Sequence, residues 1–167
     1  MGQQLANAND YNVLTMLGTL AAASKLRAEL RDKQTLAEDV RLTFEPRLAS
    51  GAFFAQFASL PENDARSREA VQAGWQSLIS TPPTDDEFEA GRNAAIGRYA
   101  IRLQTHPARL LEYSRAVIFG RKPTDIETQP DAIRAVKKAD LKRVAENVFK
   151  PNQAGRGLVR ATRTGKE

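Results

Sequence analysis

The chain lacks cysteine altogether and has a single histidine, His106, among its 167 residues. Structural zinc sites built from thiolates, disulfide frameworks and thiol-based catalysis all need a sulfur atom that cysteine would have to supply. A zinc hydrolase whose metal is held by several imidazoles is excluded in the same way. With 41% hydrophobic and 27% charged residues, the composition is that of a globular protein and not of a disordered one.

The sequence also lacks a hydrophobic run long enough to span a bilayer. The longest apolar stretch, 13–23, is interrupted by Thr15, Gly18 and Thr19, and it is much shorter than the roughly 20 residues that a membrane helix requires. Residues 1–12 contain an aspartate and neither Lys nor Arg, whereas a signal peptide begins with positive charge. We therefore predict no membrane span and no targeting signal in the sequence as given.

Positive charge is scarce until the last part of the chain. Residues 1–120 hold 13 Lys and Arg against 14 Asp and Glu, whereas residues 121–167 hold 12 against 6, and the net charge is +5. A nucleic-acid site needs basic residues on one surface, preferably with aromatic rings beside them. The basic residues of 137–143 have only Phe149 nearby, and helical spacing assigns that ring to the core. A solvated helix face is favoured, and binding of nucleic acid or anionic lipid stays open as an alternative.

Hydrophobic spacing predicts a long helix and then a β-hairpin in the first part of the chain. Apolar residues at helical spacing run from about Asp10, a candidate N-cap, to Arg31. Alternating apolar and polar residues over 39–44 predict a half-buried strand, and the aromatic-rich segment 52–60 predicts a second one. The turn signals of 46–51 predict that the two strands form an antiparallel hairpin with a loop of about five residues.

The rest of the sequence predicts one helix after another. The predicted helices cover 62–80, 84–104, a segment between His106-Pro107 and Gly120, 131–136 and 139–149. Thr84 and Glu87 have the spacing of a capping box at the start of the second of these helices. Trp75 lies on an apolar helical stripe with Val71 and Leu78, which is typical of a core residue and not of a ligand platform.

Two strands followed by successive helices indicate an α+β fold and not a βαβ arrangement. We expect residues 1–167 to form a single domain, a two-layer helix-on-sheet unit with a mainly antiparallel sheet. Two strands make a small sheet for so many helices, and the tail 157–162 adds at most an edge strand. We therefore expect the chain to be a truncated piece of something larger, or the unit to lack its first strand or strands because they come from a missing upstream segment.

Groups able to do chemistry are few. His106 precedes a proline at a helix break and has no second histidine to help it, which favours a structural or solvent-exposed role. Asp85 and Asp86 lie at a helix start, where the pKa of a carboxyl group is lowered and a general-acid role is disfavoured. The sequence contains no G-x-S-x-G, no phosphate-binding loop and no G-x-G-x-x-G. No catalytic residue and no metal ligand is predicted.

Four segments, in consistent order, resemble the insulinase-like (pitrilysin-type) zinc metallopeptidases. Residues 24–37, SKLRAELRDKQTLA, resemble the family pattern S-R-L-x-x-x-L-R-x-K-x-x-L-A, and residues 51–53, GAF, open the second strand as in the family. Residues 83–88, PTDDEF, resemble P-T-x-E-E-L, and residues 133–141, IRAVKKADL, resemble I-x-A-V-T-x-E-D-L. The resemblance covers about residues 10–152.

The resemblance implies an α+β unit in one of two halves that close around a peptide substrate. In this family one half holds zinc with an H-x-x-E-H motif and a downstream Glu, and the Glu of the motif activates water. This chain contains no H-x-x-E-H, so the resemblance is to the inactive peptidase domain. It implies no cofactor in this domain, zinc in a catalytic partner half, no nucleic acid, and a periplasmic or cell-envelope location in a bacterium.

The resemblance also points to Arg31 as a candidate substrate-binding residue. In some active members the non-catalytic half supplies an Arg and, seven residues later, a Tyr, and both bind the substrate backbone near the zinc. Arg31 matches the Arg, whereas Glu38 stands at the Tyr position, and an ionised carboxylate repels a carbonyl or an oxyanion. The alternative is that Arg31 pairs with Glu29, Asp32 or Glu38 at the helix end.

For the chain as a whole, we expect a domain that forms chamber wall and substrate contacts for a catalytic half. It should have no activity alone, and the parent protein would be a zinc-dependent metalloendopeptidase. The alternative is a structural or assembly subunit in which the peptidase fold persists without a proteolytic role.

Overall fold

The structure is a computed structural model that describes residues 8–20, 36–46, 51–150 and 155–159. Its helices and strands are α1 (Ala8–Leu20), β1 (Glu38–Pro46), β2 (Gly51–Ala58), a 3-10 turn (Pro61–Asn63), α2 (Asp64–Ser80), α3 (Asp85–Arg102), α4 (His106–Ile118), α5 (Asp125–Arg134) and α6 (Lys138–Val148). The predicted α+β class is confirmed. The described tail residues 155–159 form no strand, so this part of the predicted edge strand is wrong, and residues 160–162 lie outside the described residues.

The two strands form the predicted antiparallel hairpin. Thr43 lies opposite Phe54, and Phe44 lies opposite Phe53. Successive side chains of β2 point to opposite faces, as in any strand. Phe53 and Phe57 are accordingly partly buried, whereas Phe54 is 47% exposed. The loop residues 47–50 lie outside the described residues.

Helix α1 lies at the centre of the main hydrophobic cluster. Its buried residues pack with apolar residues of α3, α5 and α6, and the cluster comprises Val13, Leu14, Met16, Leu17, Leu20, Phe88, Ala95, Ile133, Val136, Leu141, Val144 and Ala145. The hydroxyls of Thr15 and Thr19 donate to the carbonyls four residues earlier, at 2.9 and 3.1 Å. These two hydroxyls are therefore satisfied by the backbone of their own helix.

The predicted N-cap role of Asp10 is wrong. The described helix already includes Ala8, so Asp10 lies within its first turn. Asp10 is buried, and its carboxylate accepts a hydrogen bond from Arg143 of α6 at 2.7 Å. The ion pair fixes the start of α1 against α6, a contact between residues more than a hundred positions apart that local spacing does not indicate.

A second, smaller cluster joins the hairpin to α2. Leu36, Ala37 and Ala70 form its buried centre, and Trp75 packs against it. The Trp75 ring also stacks on the ring of Phe149, with 4.8 Å between centroids. The predicted core role of Trp75 is confirmed, and its ring links this cluster to the main one.

Helix α3 begins as predicted, whereas α5 begins earlier than predicted. The Thr84 amide donates to Glu87 Oε2 at 2.9 Å and the Glu87 amide donates to Thr84 Oγ1 at 3.2 Å, which is the capping box. Helix α5 starts at Asp125 and contains Pro130, where the sequence predicts a helix only from 131. Pro130 has no amide to donate to the carbonyl of Ile126. The Tyr99 hydroxyl donates to that carbonyl instead, at 2.9 Å, which explains why the helix passes through a proline.

Candidate functional site

Arg31, the candidate substrate-binding residue, lies in the segment 21–35, outside the described residues. The second half of the helix predicted over 10–31 lies there too. Glu38 begins β1, and its backbone pairs opposite Ala58. The structure thus describes the residues on either side of this segment, and the role of Arg31 stays a prediction.

Directly before residues 21–35, α1 makes a close contact with α3. Leu20, the last described residue of α1, is buried and lies directly against Gly91 of α3. A Cβ atom at Gly91 would overlap the Leu20 side chain. The absence of a side chain at this position therefore sets how closely the two helices approach.

Directly after residues 21–35, Leu36 accepts a buried hydrogen bond. Leu36 and Ala37 are buried in the second cluster. The hydroxyl of Ser67, which is itself fully buried on α2, donates to the Leu36 carbonyl at 3.3 Å. The described residues on either side of 21–35 therefore lie in different clusters, Leu20 in the main cluster and Leu36 in the second one.

A small cavity lies beside Leu20. It measures about 30 Å³ and is lined by Leu17, Leu20, Leu78, Ile79, Thr81, Pro82, Pro83, Glu87, Lys138, Leu141 and Lys142. That volume accommodates one or two water molecules and no peptide side chain of ordinary size. Within the described residues, the cavity is a packing feature and not a substrate pocket.

The acidic start of α3 is engaged by a lysine from α6. Asp85 forms an ion pair and hydrogen bond with Lys138, and these two interactions lower the pKa of the Asp85 carboxyl. The direction agrees with the sequence prediction, but the main cause is Lys138 and not the helix dipole. An ionised, exposed carboxylate of this kind is unsuited to general-acid catalysis.

The single histidine is solvent-exposed, as one of the two predicted roles requires. His106 is the first residue of α4, directly after the N-cap Thr105, whose hydroxyl accepts a hydrogen bond from the Ala108 amide at 3.3 Å. Among the described ranges, no group of three His, Cys, Asp or Glu side chains is placed so that it could hold a metal ion. The described residues thus offer no alternative centre for metal chemistry.

The basic residues of 137–143 largely have acidic partners within the chain. Lys138 pairs with Asp85, and Lys142 lies 3.9 Å from a carboxylate oxygen of Glu146. Arg143 lies 2.7 Å from Asp10, and the hydrogen bond that the guanidinium donates to this carboxylate raises the pKa of Arg143. Internal pairing leaves less charge for phosphate groups, which favours the solvated-face interpretation over nucleic-acid binding.

The structure contains a buried charged site that the sequence analysis missed. Glu112 of α4 is buried, and its Oε1 lies 3.4 Å from an Arg102 nitrogen and 3.1 Å from an Arg115 nitrogen. Burial and, second, the negative charge of Glu112 raise the pKa of Tyr99 to about 12. The spacing of Glu112 and Arg115 could have suggested an ion pair, but nothing local indicates that the pair faces inward.

The described helices include none that is both long enough and apolar enough to cross a membrane.

Comparison with known proteins gives a family and a fold. The family model described as the Peptidase M16 inactive domain matches residues 3–95. The structure of a "putative zinc protease" from Bordetella pertussis Tohama I has a TM-score of 0.75 and 21% identity, and the match covers 90% of this chain and 84% of that chain. A search of curated proteins found no sequence match.

Two further solved structures share the fold within longer chains. The peptidase M16 inactive domain from Pseudomonas fluorescens has a TM-score of 0.76 and 15% identity, over 89% of this chain and 36% of that one. The periplasmic protease PqqL from Escherichia coli has a TM-score of 0.71 and 11% identity, over 87% of this chain and 16% of that one. Since the matched family model spans more than half of the sequence, the chain belongs to the family of Peptidase M16 inactive domains, which confirms the resemblance to insulinase-like zinc peptidases.

Proposed function

We propose that this chain is the non-catalytic domain of a zinc metalloprotease of the insulinase-like family. It forms part of the chamber wall and contacts the peptide, while a separate half with an H-x-x-E-H motif holds the zinc and cleaves. The observation that carries this proposal is the match to the inactive-domain family together with a sequence of one histidine and no cysteine. A chain of this composition lacks the ligand set of a zinc hydrolase.

The lengths of the similar structures support a partner half. The fold of this chain accounts for 36% of the Pseudomonas fluorescens chain and 16% of PqqL, so in both proteins it is accompanied by further polypeptide. We infer the same for this protein, with the catalytic half on the same chain or on a partner subunit. The periplasmic PqqL supports a periplasmic or cell-envelope location.

Arg31 is the proposed substrate contact. A guanidinium carries several N–H donors and stays charged at physiological pH, so it can hold a peptide carbonyl throughout the reaction. The described residues on either side of its segment, Leu20 and Leu36, are buried in the main and in the second cluster.

The test is Arg31→Ala in the complete protease, with Arg31→Lys as the conservative variant and Arg27→Ala as a matched control from the same segment. We expect Arg31→Ala to lower kcat/KM about tenfold or more, through loss of a positioned donor. Arg31→Lys should restore part of that loss, and the melting temperature should stay unchanged. Unaltered kinetics for Arg31→Ala would assign Arg31 to an ion pair at the helix end.

The structural-subunit alternative is favoured by one observation, Glu38 at the position where active relatives have Tyr. A carboxylate there weakens transition-state assistance. A single measurement distinguishes the two functions: zinc-dependent peptide cleavage by the purified native assembly. Cleavage that stops on chelation and returns with zinc supports the protease, whereas an assembly that contains no H-x-x-E-H protein and cleaves nothing supports the scaffold.

A further inference from the structure

We draw no further inference here: the strongest candidate, the surface patch of exposed aliphatic side chains on α4 (Leu110, Leu111, Val117 and Ile118), carries none, because nothing among the described residues shows what covers it.

Discussion

Helices α1 and α4 each contain 13 residues but use their apolar side chains in opposite ways. In α1 the aliphatic residues are buried, and its buried Asp10 is paired with Arg143. In α4 the aliphatic residues face outward and Glu112 faces inward. The contrast shows that the spacing of apolar residues identifies a helix, whereas the elements packed against it decide which side of that helix is covered.

The largest expected effect compares equivalent truncations in the two helices. Met16 of α1 is fully buried, so Met16→Ala removes packed atoms and leaves a cavity. We expect a loss of about 2–5 kcal/mol in the free energy of unfolding, measured by urea denaturation. Leu110→Ala in α4 should cost about 0.5 kcal/mol or less. Equal losses for the two variants would show that the aliphatic side chains of α4 are covered within the chain itself.

The next effect tests how tightly α1 is enclosed by α3. Gly91→Ala places a methyl group against Leu20, and overpacking of this kind costs about 1–3 kcal/mol. Gly97→Ala is the matched control on the same helix, because a Cβ atom there meets nothing within 4 Å. It should stabilise the protein by about 0.5–1 kcal/mol through helix propensity. Thermal unfolding measures both, and a stabilised Gly91→Ala would show a looser contact between α1 and α3.

The smallest effect concerns the polar inner side of α4, where Tyr99 packs with Ala116. Tyr99→Phe leaves the Ile126 carbonyl without its hydroxyl donor, at an expected cost of about 1–2 kcal/mol at pH 8. The pKa of Tyr99 is raised to about 12 from its ordinary value of 10.0. The neutral phenol therefore stabilises the fold fully below pH 10, and this contribution declines as the pH rises towards 12.

The difference in the free energy of unfolding between wild type and Tyr99→Phe should accordingly narrow as the pH rises from 10 towards 12, measured by urea unfolding at each pH. Tyr113→Phe is the matched control, because Tyr113 is a partly buried tyrosine that packs against the same cluster. A constant difference across this range would contradict the assigned role of the buried phenol.

Local signals predicted those elements whose determinants lie close together in the sequence. The hairpin follows from alternation, and the start of α3 follows from Thr84 and Glu87 three residues apart. The family could also be recognised from the sequence, because its motifs are short continuous segments. The start of α5 could not be predicted from the sequence, because a proline such as Pro130 normally interrupts a helix. The hydroxyl that replaces the missing hydrogen bond comes from Tyr99, a residue on another helix.

The candidate site shows the same difference between features that the sequence predicted and features that only the packed structure shows. Arg31 was found by its place in a motif, and it remains a prediction because it lies outside the described residues. The sequence predicted neither the burial of Glu112 nor the exposure of the aliphatic side chains of α4. The periodicity of α4 shows an apolar stripe but not the direction in which the stripe points.

The sequence by itself determined the absence of cysteine, the single histidine and the family motifs, and therefore that this is an inactive peptidase domain. Composition limits metal chemistry wherever the residues lie, so no fold was needed for that conclusion. Only the tertiary structure decided which apolar stripe is buried and which acids are paired. Burial and charge pairing depend on residues such as Asp10 and Arg143, which lie far apart in the sequence and meet only when the helices pack.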